Sequence, residues 1–106
     1  MINSAVPRKN IDDIRDNIRA GKYDMTVHAI EEMAEDGLDI LDFEQSILYG
    51  QISRIEKDDP RGTRFVIEGP AIEEQISVGS VGRFIDGRYL VITVYAITGS
   101  EDENYV

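Results

Sequence analysis

Residues 26–50, TVHAIEEMAEDGLDILDFEQSILYG, read as two short helices meeting at Gly37. Thr26 is placed to cap the first, and Ile30, Met33 and Ala34 give it an apolar stripe. Asp39 is the N-cap expected for the second, with Leu38 positioned to staple against Phe43. Ile40, Phe43, Ile47 and Leu48 fall at offsets 0, 3, 7 and 8, which defines a core-facing stripe, and Gly50 closes the helix. The stretch holds the only histidine, His28, and seven acids (Glu31, Glu32, Glu35, Asp36, Asp39, Asp42 and Glu44) without a Lys or Arg.

Upstream, Ile11, Ile14 and Ile18 recur at helical spacing behind the cap residue Asn10. Asp12 and Asp13 suit the positive end of that helix, Arg19 and Lys22 its negative end, and Gly21 fits a left-handed stop. Downstream the period becomes extended. QISRIEK (51–57) and TRFVIEG (63–69) are expected strands on either side of the turn 58–62. In the second, Phe65 and Ile67 face one way and Arg64 and Val66 the other, before Gly69-Pro70 interrupts it. A third strand is expected from about Glu74 to Ile85, then the Asp86-Gly87 hairpin turn. RYLVITVYAI (88–97) is the most β-prone run and reads as a central strand. Helices followed by strands give an α+β domain: N-terminal helices on one face of a curved, mostly antiparallel four-stranded sheet. The expected boundaries are a leader over 1–9, one domain over 10–97, and an acidic tail over 98–106.

A chain of 106 residues, 42% hydrophobic and 30% charged, can bury its own core. It lacks cysteine, a membrane-length apolar run and a signal-type N-terminus, so a cytoplasmic setting is expected. The net charge of −10 is concentrated in the 26–50 stretch and in Glu101–Glu103. Such a surface repels phosphate backbones, and its acids form either a solvated face or a docking face for a basic partner.

Gly79-Ser80-Val81-Gly82 lacks the spacing and lysine of a phosphate loop. One histidine and no cysteine exclude the usual zinc sets, and no cofactor is expected. His28, Glu31 and Glu32 could share a helical face as metal ligands, but no second histidine completes a site. His28 lies in the first turn, where the positive helix end disfavours a further positive charge; that suits a base or a hydrogen-bonding group, although a lone histidine is more often a packed or capping residue. Arg64 and Arg83 are planar donors able to hold phosphate or solvate a strand edge. A two-residue loop at Asp86-Gly87 would pair Ser80 with Thr93 and Val78 with Tyr95. Thr93 and Tyr95 would then share a face, with Arg83 on the other, unless a bulge at Gly79 or Gly82 shifts the register.

Thr-x-His-Ala at 26–29, Met33, Gly37, Gly50 with Ile52, Arg64 and Ile-Thr-Val-Tyr at 92–95 together resemble a bacterial domain family of unknown function. That family is marked by a His-Ala-x-x-Arg-Met-x-x-Arg-Gly helix, and the likeness spans roughly residues 14–96. The family looks related to the RelE/ParE and BrnT-type toxins and to the barnase–EndoU–RelE group of small ribonucleases. The resemblance implies a RelE-like fold and a toxin-type endoribonuclease paired with an antitoxin. His28 would be general base or acid, Arg64 the phosphate clamp, and Thr93 and Tyr95 auxiliary donors. The motif's two arginines are Glu32 and Asp36 here, which exchanges two positive charges for two negative ones beside His28. RNA docked in that orientation is penalised by about one to a few kcal/mol per charge. Two further readings therefore stand beside the nuclease. One is a non-catalytic module that binds a basic protein through the acidic helical face; the other is an immunity or antitoxin role through mimicry of nucleic-acid charge. Catalysis requires Arg54, Arg64 and Arg83 to converge on His28, whereas binding requires an acidic patch there and a buried His28.

Overall fold

The computed structural model describes residues 9–73 and 75–97. The order is α1 (Ile11–Arg19), β1 (Tyr23–Met25), α2 (Val27–Glu35), α3 (Ile40–Tyr49), β2 (Gln51–Glu56), β3 (Arg64–Pro70), β4 (Ser77–Ile85) and β5 (Arg88–Ile97). The strands form one sheet in the order β1-β5-β4-β3-β2. Most of the expected leader, the acidic tail and Glu74 lie outside the described residues.

The helix boundaries follow their caps. The side chains of Asn10 and Asp39 each accept from two backbone amides, and Asp13 and Asp42 return the bond to close a capping box. Thr26 caps α2 by accepting from Ala29 N at 3.0 Å. Gly21 and Gly37 take the left-handed conformation that ends α1 and α2. Gly50 does not: its φ is −99°. It is needed because α3 ends against β3, where a Cβ on Gly50 or Gly69 would strike the Ser46 carbonyl and the other glycine's Cα. Arg15 of α1 closes that junction by donating from Nε to Ile47 O at 2.9 Å and from Nη2 to Gly50 O at 2.7 Å. The C-terminal carbonyls of one helix are thus capped from another.

Two expectations are corrected. The sheet has five strands and is mixed, because β1 pairs parallel to β5 (Tyr23 with Tyr89, Met25 with Val91). Three residues cannot display an alternating pattern, so β1 has no signature of its own. It is held from outside: Asn17 Nδ2 donates to Lys22 O and Gly87 O, and Arg88 Nε reaches Asp24 Oδ2 at 2.8 Å. The apolar stripe of α2 is also rotated from the expected one. Ala29 and Met33 enter the core, whereas Ile30 is half exposed and Ala34 lies outward.

The core lies between the helices and one sheet face. Ile14 and Ile18 from α1, Phe43 and Ile47 from α3, and Ile67, Val78, Tyr89, Val91 and Val94 from the sheet fill it. Tyr23 joins its border, with its ring 5.7 Å from Phe43 and its hydroxyl donating to Glu44 at 2.6 Å. Tyr89 lies wholly inside, where its ring occupies the space that a side chain at Gly82 would need. The Tyr89 hydroxyl is buried without a hydrogen-bond partner among the described residues.

The Gly50–Gly69 contact leaves no room for a methyl group, so Gly69→Ala is expected to lower stability by about 1–3 kcal/mol in chemical denaturation. Burial pushes the Tyr89 phenol above its ordinary range, as burial and then Glu44 do for Tyr23. The fold therefore favours neutral phenols. Their contribution is constant below the unfolded value of about 10 and is lost as pH rises beyond it. Tyr89→Phe removes an unpartnered hydroxyl, so it should leave neutral-pH stability within about 1 kcal/mol of wild type and lessen the alkaline loss in a denaturation series.

Candidate functional site

Each candidate side chain is placed by the neighbours of β5. β1 covers the free edge of β5 only as far as Val91, and α2 takes over beyond it. The Thr26 amide donates to Val91 O at 3.0 Å, and its hydroxyl donates to Ile92 O at 2.9 Å. Glu32 Oε1 accepts from Val94 N at 3.1 Å, and Asp36 Oδ2 accepts from Ala96 N at 2.8 Å. The match is geometric. Four helical residues rise about 6 Å and two strand residues about 6.6 Å, so acids at i and i+4 meet alternate amides of one strand edge.

His28 sits on this helix one turn before Glu32. Its side chain is 65% exposed, and Nε2 lies 3.4 Å from the same Glu32 oxygen that holds Val94. It is therefore not the buried histidine that the binding reading requires. Among the described residues no group of three or more His, Asp or Glu side chains is arranged to hold a metal ion.

The other candidates lie on the sheet face away from the helices. The Asp86-Gly87 turn has positive φ at both residues and pairs Ile85 with Arg88, as the two-residue loop predicts. Beyond Gly82–Val91 the register shifts: Val81 pairs with Thr93, Ser80 with Val94 and Gly79 with Tyr95. The extra residue is Ile92, so the expected Ser80–Thr93 and Val78–Tyr95 pairs are not formed. The bulge reverses the alternation of β5, with Tyr89 and Val91 in the core before it and Val94 after it. Arg83 consequently shares the open face with Thr93 and Tyr95, where the regular register would have put it on the opposite side. The glycines of β4 are the one hint of it in the sequence, because a bulge is set by the fit of whole strands and leaves no fixed residue pattern.

Arg64 pairs across strands with Arg83 through the Phe65–Gly82 register and belongs to the same face. Its charge is already engaged. Nη2 donates to Glu56 Oε1 at 2.6 Å, and Nε lies 3.6 Å from Asp59 Oδ2. Arg54 also binds Glu56, at 2.7 Å. Hydrogen bonds from Arg54 and then Arg64 hold the Glu56 carboxyl below its ordinary range, and those from Arg61 do the same for Asp59. Arg83 differs in making no ion pair among the described residues, while its Nε, like that of Arg64, is buried without a hydrogen-bond partner there. The Tyr95 ring covers Gly79. Burial, followed by Glu68, raises its phenol above the ordinary value, while Arg54 opposes this and Glu32 adds to it. Such a phenol donates a hydrogen bond more readily than it gives up its proton.

The fold thus gathers Arg64, Arg83, Thr93 and Tyr95 on one open face and leaves His28 on a helix at the edge beyond β5. Arg64 stands two strands in from β5, roughly 10 Å across the sheet at about 4.8 Å per strand. Arg54 and Arg64 turn toward Glu56 and not toward His28. The acidic stretch is also less free than its composition implies. Asp39 and Asp42 cap α3, Asp42 further accepts from Ile72 N, Glu44 holds Tyr23, and Glu32 and Asp36 hold β5. Glu31 and Glu35 remain on the outer side of α2, next to Val27 (70% exposed) and Ile30 (50% exposed).

Residues 25–96 match the model of the family described as Domain of unknown function (DUF4258). The match covers well over half of the chain, which belongs to that family. It runs from the end of β1 to the penultimate residue of β5 and leaves α1 outside. No curated protein and no solved structure matches the chain. No helix among the described residues is long and apolar enough to cross a membrane.

Arginine has five donors and no acceptor, so it cannot replace Glu32 or Asp36 at the edge of β5. Glu32→Arg is expected to cost about 1–3 kcal/mol and Asp36→Arg, on the more exposed end, about 1 kcal/mol. Amide hydrogen exchange should accelerate at Val94 in the first variant and at Ala96 in the second.

Proposed function

We propose that this chain is a non-catalytic interaction module on a RelE-like frame, working in the cytoplasm and docking a basic protein segment on the outer face of α2. The observation that carries the reading is that face itself: Val27 and Ile30 stand exposed beside Glu31 and Glu35, the two acids of the stretch whose side chains make no hydrogen bond among the described residues. Apolar side chains flanked by carboxylates suit an amphipathic helix with lysines or arginines along its margin. His28 is exposed, not buried as expected of such a module, so the reading rests on the apolar and acidic face of α2 alone. The ribonuclease chemistry is poorly provided for in its turn. The expected clamp, Arg64, is held toward Glu56 and Asp59, which it shares with Arg54 and Arg61, and none of these arginines turns toward the expected base, His28.

A specific observation favours a second reading, a toxin-type endoribonuclease with an antitoxin partner. Arg64, Arg83, Thr93 and Tyr95 share one uncovered sheet face, and Arg83 has no carboxylate partner among the described residues. On this reading Arg83 is the phosphate clamp, a role the resemblance gives to Arg64.

The two readings separate in one set of assays. The purified protein, His28→Ala, Arg64→Ala and Arg83→Ala are incubated with total and ribosome-associated RNA. A basic amphipathic helical peptide is titrated in parallel into wild type and Glu31→Lys/Glu35→Lys. The expected outcome is intact RNA throughout and peptide binding weakened about tenfold or more by the double reversal, at roughly 0.5–1 kcal/mol per lost attraction and a comparable repulsion. Cleavage by wild type that Arg83→Ala abolishes would replace the first reading with the second.

A further inference from the structure

A cavity of about 390 Å³ opens at the β2–β3 end of the sheet, on the side that carries the helices. Its floor is Ile55, Phe65 and Phe84, and its rim is Lys9, Lys57 and Thr63. No carboxylate lines it among the described residues, although the chain carries a net charge of −10. Neither lysine has an ion-pair partner among those residues. The Phe65 and Phe84 rings meet edge to face at 6.0 Å, and the Lys9 ammonium stands 4.8 Å above the Phe84 ring centre.

We propose that this cavity binds a small aromatic carboxylate, its ring on the Phe65–Phe84 floor and its carboxylate between Lys9 and Lys57. The volume falls within the range of small-molecule sites, and a mainly apolar floor with few convergent polar groups is their usual composition. The floor selects the flat apolar body. The two ammonium groups and the Thr63 hydroxyl select the acid, because all three can donate to a carboxylate and the ammoniums can do nothing but donate. Burying an aromatic acid here costs little at the charged end, since the rim stays open to water while the ring leaves it. The cavity does not touch the outer face of α2 or the open sheet face, so the assignment is independent of either reading above.

The test is an amide-resolved NMR titration of the whole protein with 2-naphthoate, with 2-naphthamide as the neutral isostere. Shifts centred on Ile55, Thr63, Phe65 and Phe84 with a Kd of about 1 mM or tighter are expected, as is binding of the amide weakened about tenfold. Lys9→Gln/Lys57→Gln should weaken naphthoate by about tenfold or more, and Lys9→Arg/Lys57→Arg should restore it. Each pair changes only side chains at the rim, and an unchanged spectrum elsewhere verifies the fold. Absence of shifts at about 5 mM ligand, equal binding of the amide, or shifts centred away from the cavity would overturn the proposal. Binding indifferent to both lysine replacements would overturn it as well.

Discussion

The edge of β5 is the constraint on which the remaining structure depends. A strand in the interior of a sheet needs partners along both sides, and an unpaired row of amides is also a template for unwanted pairing. β1 supplies three residues of partner and then stops. The chain solves the remainder with a helix whose side chains reach the strand: Thr26 at Ile92, Glu32 at Val94 and Asp36 at Ala96. One hydroxyl at Thr26 both caps α2 and fastens it to β5, which ties the start of the helix to the place where β1 ends. The position of His28 follows from that fastening, since α2 can only lie where its i and i+4 acids meet alternate amides.

The same strand decides what the opposite face of the sheet can do. Without the extra residue at Ile92, Thr93 and Tyr95 would point into the helices and Val94 out of them. The bulge lets Tyr89 and Val91 fill the core at one end and Val94 fill it at the other. Two glycines of β4 fit the two aromatic residues on opposite faces: Gly82 makes room for Tyr89 within the core, and Gly79 makes room for Tyr95 on the open side. A polar face with Arg64, Arg83, Thr93 and Tyr95 is therefore a by-product of how β5 is packed. It is not by itself a sign of catalysis, since function resides in sites and not in folds.

Features fixed by local chemistry were legible in the sequence. Asn10, Thr26 and Asp39 cap where their side chains and the following apolar spacing indicate, and Asp86-Gly87 turns with two positive φ values because those residues tolerate them. Features fixed by distant partners were not. β1 exists because β5 offers it an edge, and nothing in Tyr23-Asp24-Met25 distinguishes it from a connecting loop. Gly50 reads as a helix stop but serves a backbone contact with Gly69, nineteen positions away. At the candidate site, residue types were readable and distances were not. Arg64 is on a strand as expected, yet its guanidinium is turned toward Glu56 and Asp59, which only the β2–β3 pairing brings to it.

Charge counted along the chain is likewise a poor guide to charge offered to a partner. Seven acids in one stretch suggest a docking face, but five of them accept hydrogen bonds within the fold. Those five still carry charge and still repel phosphate, so they shape the long-range field without being free to grip anything. What α2 can offer a partner is narrower: Glu31 and Glu35, in one row beside apolar side chains that the core did not take. That combination also separates the Glu32 and Asp36 substitutions from their apparent meaning. Set against the arginines of the motif that the stretch resembles, they read as a plain loss of positive charge from α2. In this fold they complete the sheet edge, and that role accounts for a carboxylate at both positions without any reference to RNA.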